Sequence, residues 1–225
     1  MNRSGDNGRP LRRDAQRNRA RLIEAARQAF VEHGADVPLE EIARRAGVSV
    51  GTLYNRFPDR SVLIDTVLLD RMRESLAIGA AALANPDPWQ GFVDYLEQLF
   101  ALQARDRGVT DALSRRFPRT PHLDAACAEG FDQARQLIER AQRAGRLRPD
   151  FTVADLVGLL WSNAALVAAT GAVAPAAWRR QFRIVIDGLR ASAAHPIPEP
   201  ALDADQLDQA RRALGVSAGR PWRRP

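Results

Sequence analysis

From Leu22 onward the apolar residues fall at three- and four-residue steps, the spacing that gathers them on one face of a helix, and no stretch reads as a strand. The pattern predicts an all-α protein. A first helix from Asp14, a good N-cap, to His33, with Gly34 as its stop, buries Leu22, Ile23, Ala26, Ala29 and Phe30. A second opens at Pro38 and carries Leu39, Ile42, Ala43 and Ala46; a third sends Leu53 and Phe57 inward. A long fourth, with Leu63, Ile64, Val67, Leu68, Met72 and Leu76, reaches about Ala84 and is too long to serve the first three helices alone. Further helical stretches follow: Trp89–Ala104, about Val109–Arg116, Pro121–Ala144, Thr152 to about Ala169, and about Ala176–Ser192. Thr152 and Asp155 have the spacing of a capping box. The run HPIPEP reads as a proline linker, and Leu207, Ala210 and Leu214 as one short amphipathic helix beyond it.

The stretch Leu39–Phe57 organises the rest. Gly47 supplies the positive φ that ends one helix, Val48 plugs the angle, and Ser49 can accept from the free N–H groups opening the next. With Leu53 and Phe57 turned in, Val50, Gly51, Thr52, Tyr54, Asn55 and Arg56 face out, a small, polar, aromatic and basic set without an acid. This is the sequence form of a helix-turn-helix, whose second helix enters the major groove of DNA. Asn55 and Arg56 suit base edges, while Thr52 and Tyr54 suit phosphate.

Charge sharpens the picture. The chain of 225 residues has 33 basic residues, all arginine, against 27 acids, a net +6. Residues 1–60 carry +4, residues 61–208 carry −3 and residues 209–225 carry +5. A nucleic-acid-binding end on a body with another task fits that split. Residues 1–12 read as a disordered basic arm, residues 13–60 as the DNA-binding unit, residues 61–194 as a helical body, and residues 195–225 as linker, short helix and basic tail. Arg13 and Arg17 lie where the arm meets the first helix, within reach of phosphate or the minor groove.

Other chemistries find little support. The single cysteine, Cys127, excludes an internal disulfide. That, with no apolar signal core near Met1, leads to the expectation of a cytoplasmic protein. Leu156–Trp178 carries no charge over a length that could span a bilayer. Its alanine, glycine and polar content suits a helix buried between two subunits better than one in lipid, so a homodimer is expected and a membrane partner is not. Leu156, Leu160, Ala164, Phe182 and Ile186 are the expected interface. Gly47-Val48-Ser49-Val50-Gly51 matches the nucleophile elbow of hydrolases, but that elbow needs a preceding strand. His33, His122 and His195 are scattered, and His122 and Cys127 are five residues apart, so neither a metal nor another cofactor is expected. A helical enzyme would need a convergent polar set in the body, which is missing. A helical protein adaptor using the same corner remains an alternative.

A-G-V-S-x-G-T-L-Y followed by F-P-D-R-x-x-L resembles the TetR family of bacterial regulators, strongly over Ala15–Leu68 and by layout beyond. The chain departs from the family at Val37, where a capping threonine is usual. The resemblance implies a repressor that binds a palindromic operator as a homodimer and answers to a small apolar effector. It implies DNA contacts from Ser49, Val50, Gly51, Thr52, Tyr54, Asn55 and Arg56, and a phosphate contact from Arg60, where the family usually has lysine. Trp89, Phe92, Leu96, Phe100, Phe117, Phe131 and Trp161 are the candidates to line the effector cavity.

Overall fold

A computed structural model describes residues 8–216, and every regular element among them is helical. The order is α1 (Gly8–His33), α2 (Leu39–Ala46), α3 (Val50–Arg56), α4 (Arg60–Leu83), α5 (Pro88–Arg105), α6 (Arg107–Ser114), α7 (Pro121–Arg143), α8 (Val153–Thr170), α9 (Ala177–Leu189), a 3₁₀ turn at Ala191–Ala193, and α10 (Ala204–Val216). α1 begins before Asp14, so residues 8–12 are helical where an arm without structure was expected. The expected arm at residues 1–7 and the basic tail at residues 217–225 lie outside the described residues.

The local signals act as the sequence suggests. Thr152 and Asp155 form a complete capping box at α8, and Asp59, Asp87 and Asp106 cap α4, α5 and α6. α7 is capped from a distance: buried Asp65 of α4 accepts from the Leu123 N–H at 2.8 Å and lies 2.6 Å from His122 Nδ1.

Two hydrophobic cores divide the chain at a place the sequence does not mark. The first gathers Leu22, Phe30, Ile42, Leu53 and Phe57 with Leu63, Val67 and Leu68 of α4, then reaches Ala112 of α6 and Leu123 and Cys127 of α7. The second joins α5 to the later turns of α7 and to α8 and α9. There Phe100 and Phe182 meet edge-on with ring centroids 5.7 Å apart, and Phe92 meets Phe151 likewise at 5.8 Å. α4 runs through both, so the boundary expected at residue 60 is not a break in packing.

Candidate nucleic-acid interface

The turn between α2 and α3 is built from backbone upward. Gly47 sits at φ 63°, ψ 38°, left-handed space that residues with a Cβ enter at a cost. Its N–H donates to Arg44 O and the Val48 N–H to Ala43 O, both at 3.1 Å, which satisfies the last carbonyls of α2. Ser49 then caps α3: its Oγ accepts from the Thr52 N–H at 3.1 Å and lies 2.9 Å from Thr52 Oγ1. Leu53 and Phe57 are fully buried, which fixes the rotation of α3, and the Arg19 guanidinium covers the Phe57 ring at 5.4 Å.

That rotation leaves Ser49, Gly51, Asn55 and Arg56 exposed and Val50, Thr52 and Tyr54 half-buried. Val50 and Tyr54 lean partly on the first core. Asn55 and Arg56 make no hydrogen bond or ion pair among the described residues, and α3 carries no acid. A bare amide next to a bare guanidinium can offer bidentate contacts to adenine and guanine edges. Nearby arginines are more committed. Arg44 and Arg45 both donate to Glu41, and these hydrogen bonds hold its carboxyl down at about 2. Arg17, on the exposed side of α1, pairs with Asp14. Nothing is described of the Arg13 side chain.

Arg60 corrects an expectation. Placed on a phosphate by resemblance, it turns inward and donates to Ala35 O and, at 2.7 Å, to Val37 O. Burial is the main influence on its pKa and lowers it, with Asp36 opposing. Val37 is buried and Pro38 makes no side-chain cap, so Arg60 holds the entrance to α2 where the usual threonine would stand. Sequence reasoning missed the rest of this clamp. Asp111 of α6 accepts from the Ala35 N–H at 2.6 Å, and Arg115 donates to Asp36 through both terminal nitrogens at 3.0 Å and to Asp111 at 3.1 Å. Burial raises the Asp111 pKa, with Arg115 opposing. The loop between α1 and α2 is thereby fastened to the body. Asp111 and Arg115 stand one turn apart on α6, but no local pattern marks their partners in the loop, which lie about 75–80 residues away.

The expected interface residues are displaced too. Leu156, Leu160, Phe182 and Ile186 are 2–7 % exposed and belong to the second core, and Ala164 is half-buried. The outward side of α8 presents Gly158, Ser162, Ala165 and Ala169 between half-buried Leu159 and Leu166. On α9, Ile184 is 56 % exposed, with exposed Gly188 one turn on. α8 is long and apolar enough to cross a membrane, yet only 22 % of it is buried within the protomer.

Of the seven aromatic and aliphatic cavity candidates, Phe131 alone lines either of the two principal cavities. Trp89, Phe92, Leu96 and Phe100 fill the second core and Phe117 the first, while Trp161 donates from Nε1 to Ser114 O at 3.1 Å. The inner cavity is instead bounded by Met72, Ser75, Tyr95, Leu99, Ala134 and Leu160, among others, from α4, α5, α7 and α8.

Residues 22–67 match the profile of bacterial regulatory proteins of the tetR family, and residues 87–191 match the C-terminal domain profile of SbtR-like transcriptional regulators. The chain is 25% identical over 192 residues to the HTH-type transcriptional regulator UidR of Escherichia coli K12, spanning 80% of this chain and 96% of that one. It is 28% identical over 156 residues to the HTH-type transcriptional repressor KstR of Mycobacterium tuberculosis, spanning 66% and 70%. A TetR transcription regulatory protein of Mycobacterium vanbaalenii, known from a crystal structure, is 34% identical over 80% of this chain and 99% of its own, with a TM-score of 0.45. The capped seven-residue helix with its bare Asn55 and Arg56, and family profiles over both the reading unit and the body, lead to one conclusion: the protein is a DNA-binding transcriptional regulator of the TetR family.

Proposed function

We propose that the protein is a repressor that binds a palindromic operator as a homodimer and releases it when a small molecule enters the body. The outward face of α3 carries this reading, because Gly51, Asn55 and Arg56 are exposed, unengaged among the described residues and free of neighbouring acids on the helix. Two such helices joined by a two-fold axis read two half-sites about one DNA turn apart. The axis runs beside α8 and α9, where Gly158, Ala165, Ala169 and Ile184 leave an apolar strip, edged by exposed Arg180 and Asp187, for the same strip of a second copy. Covering that surface with protein also removes any reason to place α8 in lipid.

The route from body to reader is α4 and α6. The inner cavity touches Met72 and Ser75 on α4 and Ala112 and Leu113 on α6. A molecule that widens it displaces both helices. Through Asp111 and Arg115, a displaced α6 pulls the loop that leads into α2, and α3 follows. Coupling between two such sites is typically about 1–3 kcal/mol.

The reading is tested by selecting duplexes that the full chain retains and repeating the gel shift with Asn55→Ala. Loss of a base contact weakens binding by about 1–3 kcal/mol and relaxes preference at one position of each half-site. An unaltered profile refutes the assignment, and affinity insensitive to salt favours a protein-binding adaptor instead.

A further inference from the structure

The two principal cavities share one wall. The outer groove, about 460 Å³, opens between α7, the start of α8 and α10, and is bounded by Ala128, Val153 and Leu207 among others. The inner cavity, about 30 Å³, lies between α4, α5, α7 and α8. Cys127, Phe131 and Arg211 line both, so Arg211 of α10 forms part of the wall between them.

Arg211 is 6 % exposed and its company is odd for a cation. Nη2 donates to Arg115 O at 3.2 Å, the guanidinium lies over the Phe131 ring at 4.8 Å, and Nε is buried without a hydrogen-bond partner. No carboxylate among the described residues pairs with it. Asp208, one turn earlier on α10, is held by Arg116 and Arg212, and Asp124 by Arg116. Arg135, the third arginine on the groove after Arg116 and Arg211, is paired with Asp132. Burial is the main influence on the Cys127 thiol and pushes it up, with the neighbouring Arg211 guanidinium opposing, so the thiol is a poor counter-charge. A buried cation lacking its counter-charge is costly, and an anion supplied beside it removes that cost. The body holds α10 in this position through the Arg116 N–H, which donates to Arg211 O at 3.0 Å, and through the Arg116–Asp208 pair.

We propose that α10 completes the small-molecule site and that Arg211 is its anion anchor, so that the site takes an amphiphile with an apolar body and one carboxylate. The carboxylate meets the unpaired Nε and the buried charge at the wall, while the apolar body lies along Phe131 and Leu207 or presses inward toward Leu99 and Leu160. Tyr95 and Ser75 at the inner cavity offer hydroxyls to a polar group at the far end. This rests on the reading that the body binds a small molecule, and it adds the class of molecule.

The test titrates the full chain by calorimetry with decanoate and 2-naphthoate, each against its neutral counterpart, decanol and 2-naphthol. A charge-assisted anchor makes each acid bind about tenfold or more tighter than its alcohol. Arg211→Gln and Arg211→Met, checked for helicity by circular dichroism, bring acid and alcohol to within about twofold, the loss of one charge-assisted contact. Equal binding of acid and alcohol to the unaltered chain overturns the anchor without recourse to any variant, as does an acid preference that survives either substitution or a failure of both acids to saturate. The operator gel shift is run alongside. Operator binding with no acid preference removes the anchor and leaves the repressor reading; acid preference without operator binding does the reverse.

Discussion

Ile184 and Ile186 stand two residues apart on α9 and face opposite ways, 56 % and 7 % exposed. If α8 and α9 meet a second copy, Ile184→Asp separates subunits and leaves the protomer folded. Arg180, one turn earlier and exposed, gives the new carboxylate a partner in the monomer. Full burial of an isoleucine side chain contributes about 1.5–3 kcal/mol, so covering rather more than half of it contributes about 1–1.5 kcal/mol per copy. Two-fold symmetry doubles this to about 2–3 kcal/mol, or about 30- to 150-fold in the dimer dissociation constant, before the cost of desolvating two carboxylates. Sedimentation velocity over a concentration series reads that change, and a thermal melt confirms that the protomer remains folded. Ile186→Asp is the contrast: it places a charge in the core beside Phe182 and costs about 3–5 kcal/mol of stability. An Ile184→Asp protein with the association constant of the unaltered chain would sink the pairing of α8 and α9.

Two further outcomes concern the reading unit. Gly47→Ala keeps the turn but forces a Cβ into left-handed space; the nearest atom to that Cβ is Arg21 Nη1 at 3.8 Å, so the penalty is backbone strain of about 1–2 kcal/mol and not a clash. At about 2–4 °C per kcal/mol for a chain of this size, the melting temperature falls by about 2–8 °C, and an unchanged melt contradicts the strained turn. Glu41 gives a pH signature. Its carboxyl is held below the usual 4.5 at about 2, so the stability it contributes is complete above 4.5 and is lost as pH falls from there toward 2. Glu41→Gln therefore flattens melting temperature against pH in that window and leaves the trend above pH 5 alone; an unaltered acid limb argues against the contact with Arg44 and Arg45.

What the sequence makes legible is whatever is decided within a few residues. Gly47, Ser49, Leu53 and Phe57 act on neighbours three or four positions away, so their roles can be read from spacing, and the capping box at Thr152 and Asp155 likewise. α8 defeats the same reasoning because it is apolar all round: periodicity gives no way to tell the side that packs on Phe100 and Phe182 from the side left for a partner. The cavity-lining aromatics fail for a related reason. Trp89 and Phe92 are as apolar as a cavity wall should be, but whether a ring borders empty space or another ring depends on helices distant in the chain. Arg60 and Arg211 are the hardest cases. Arg60 reads as a phosphate contact and Arg211 as a cation beside the basic tail, and each is drawn inward by acceptors, Ala35 and Val37 for one and Arg115 for the other, that no short window contains.

The sharing of one core by α1–α4, α6 and the start of α7 bears on how such regulators can be recombined. A chimera cut at residue 60 would divide the core that Leu53 and Phe57 share with Leu63, Val67 and Leu68 of α4, and would exchange Asp111 and Arg115 for whatever the new body offers the loop at residues 34–38. The natural unit of exchange is therefore a composite of sequence-distant parts. A graft keeps its reader intact only when α6 travels with it.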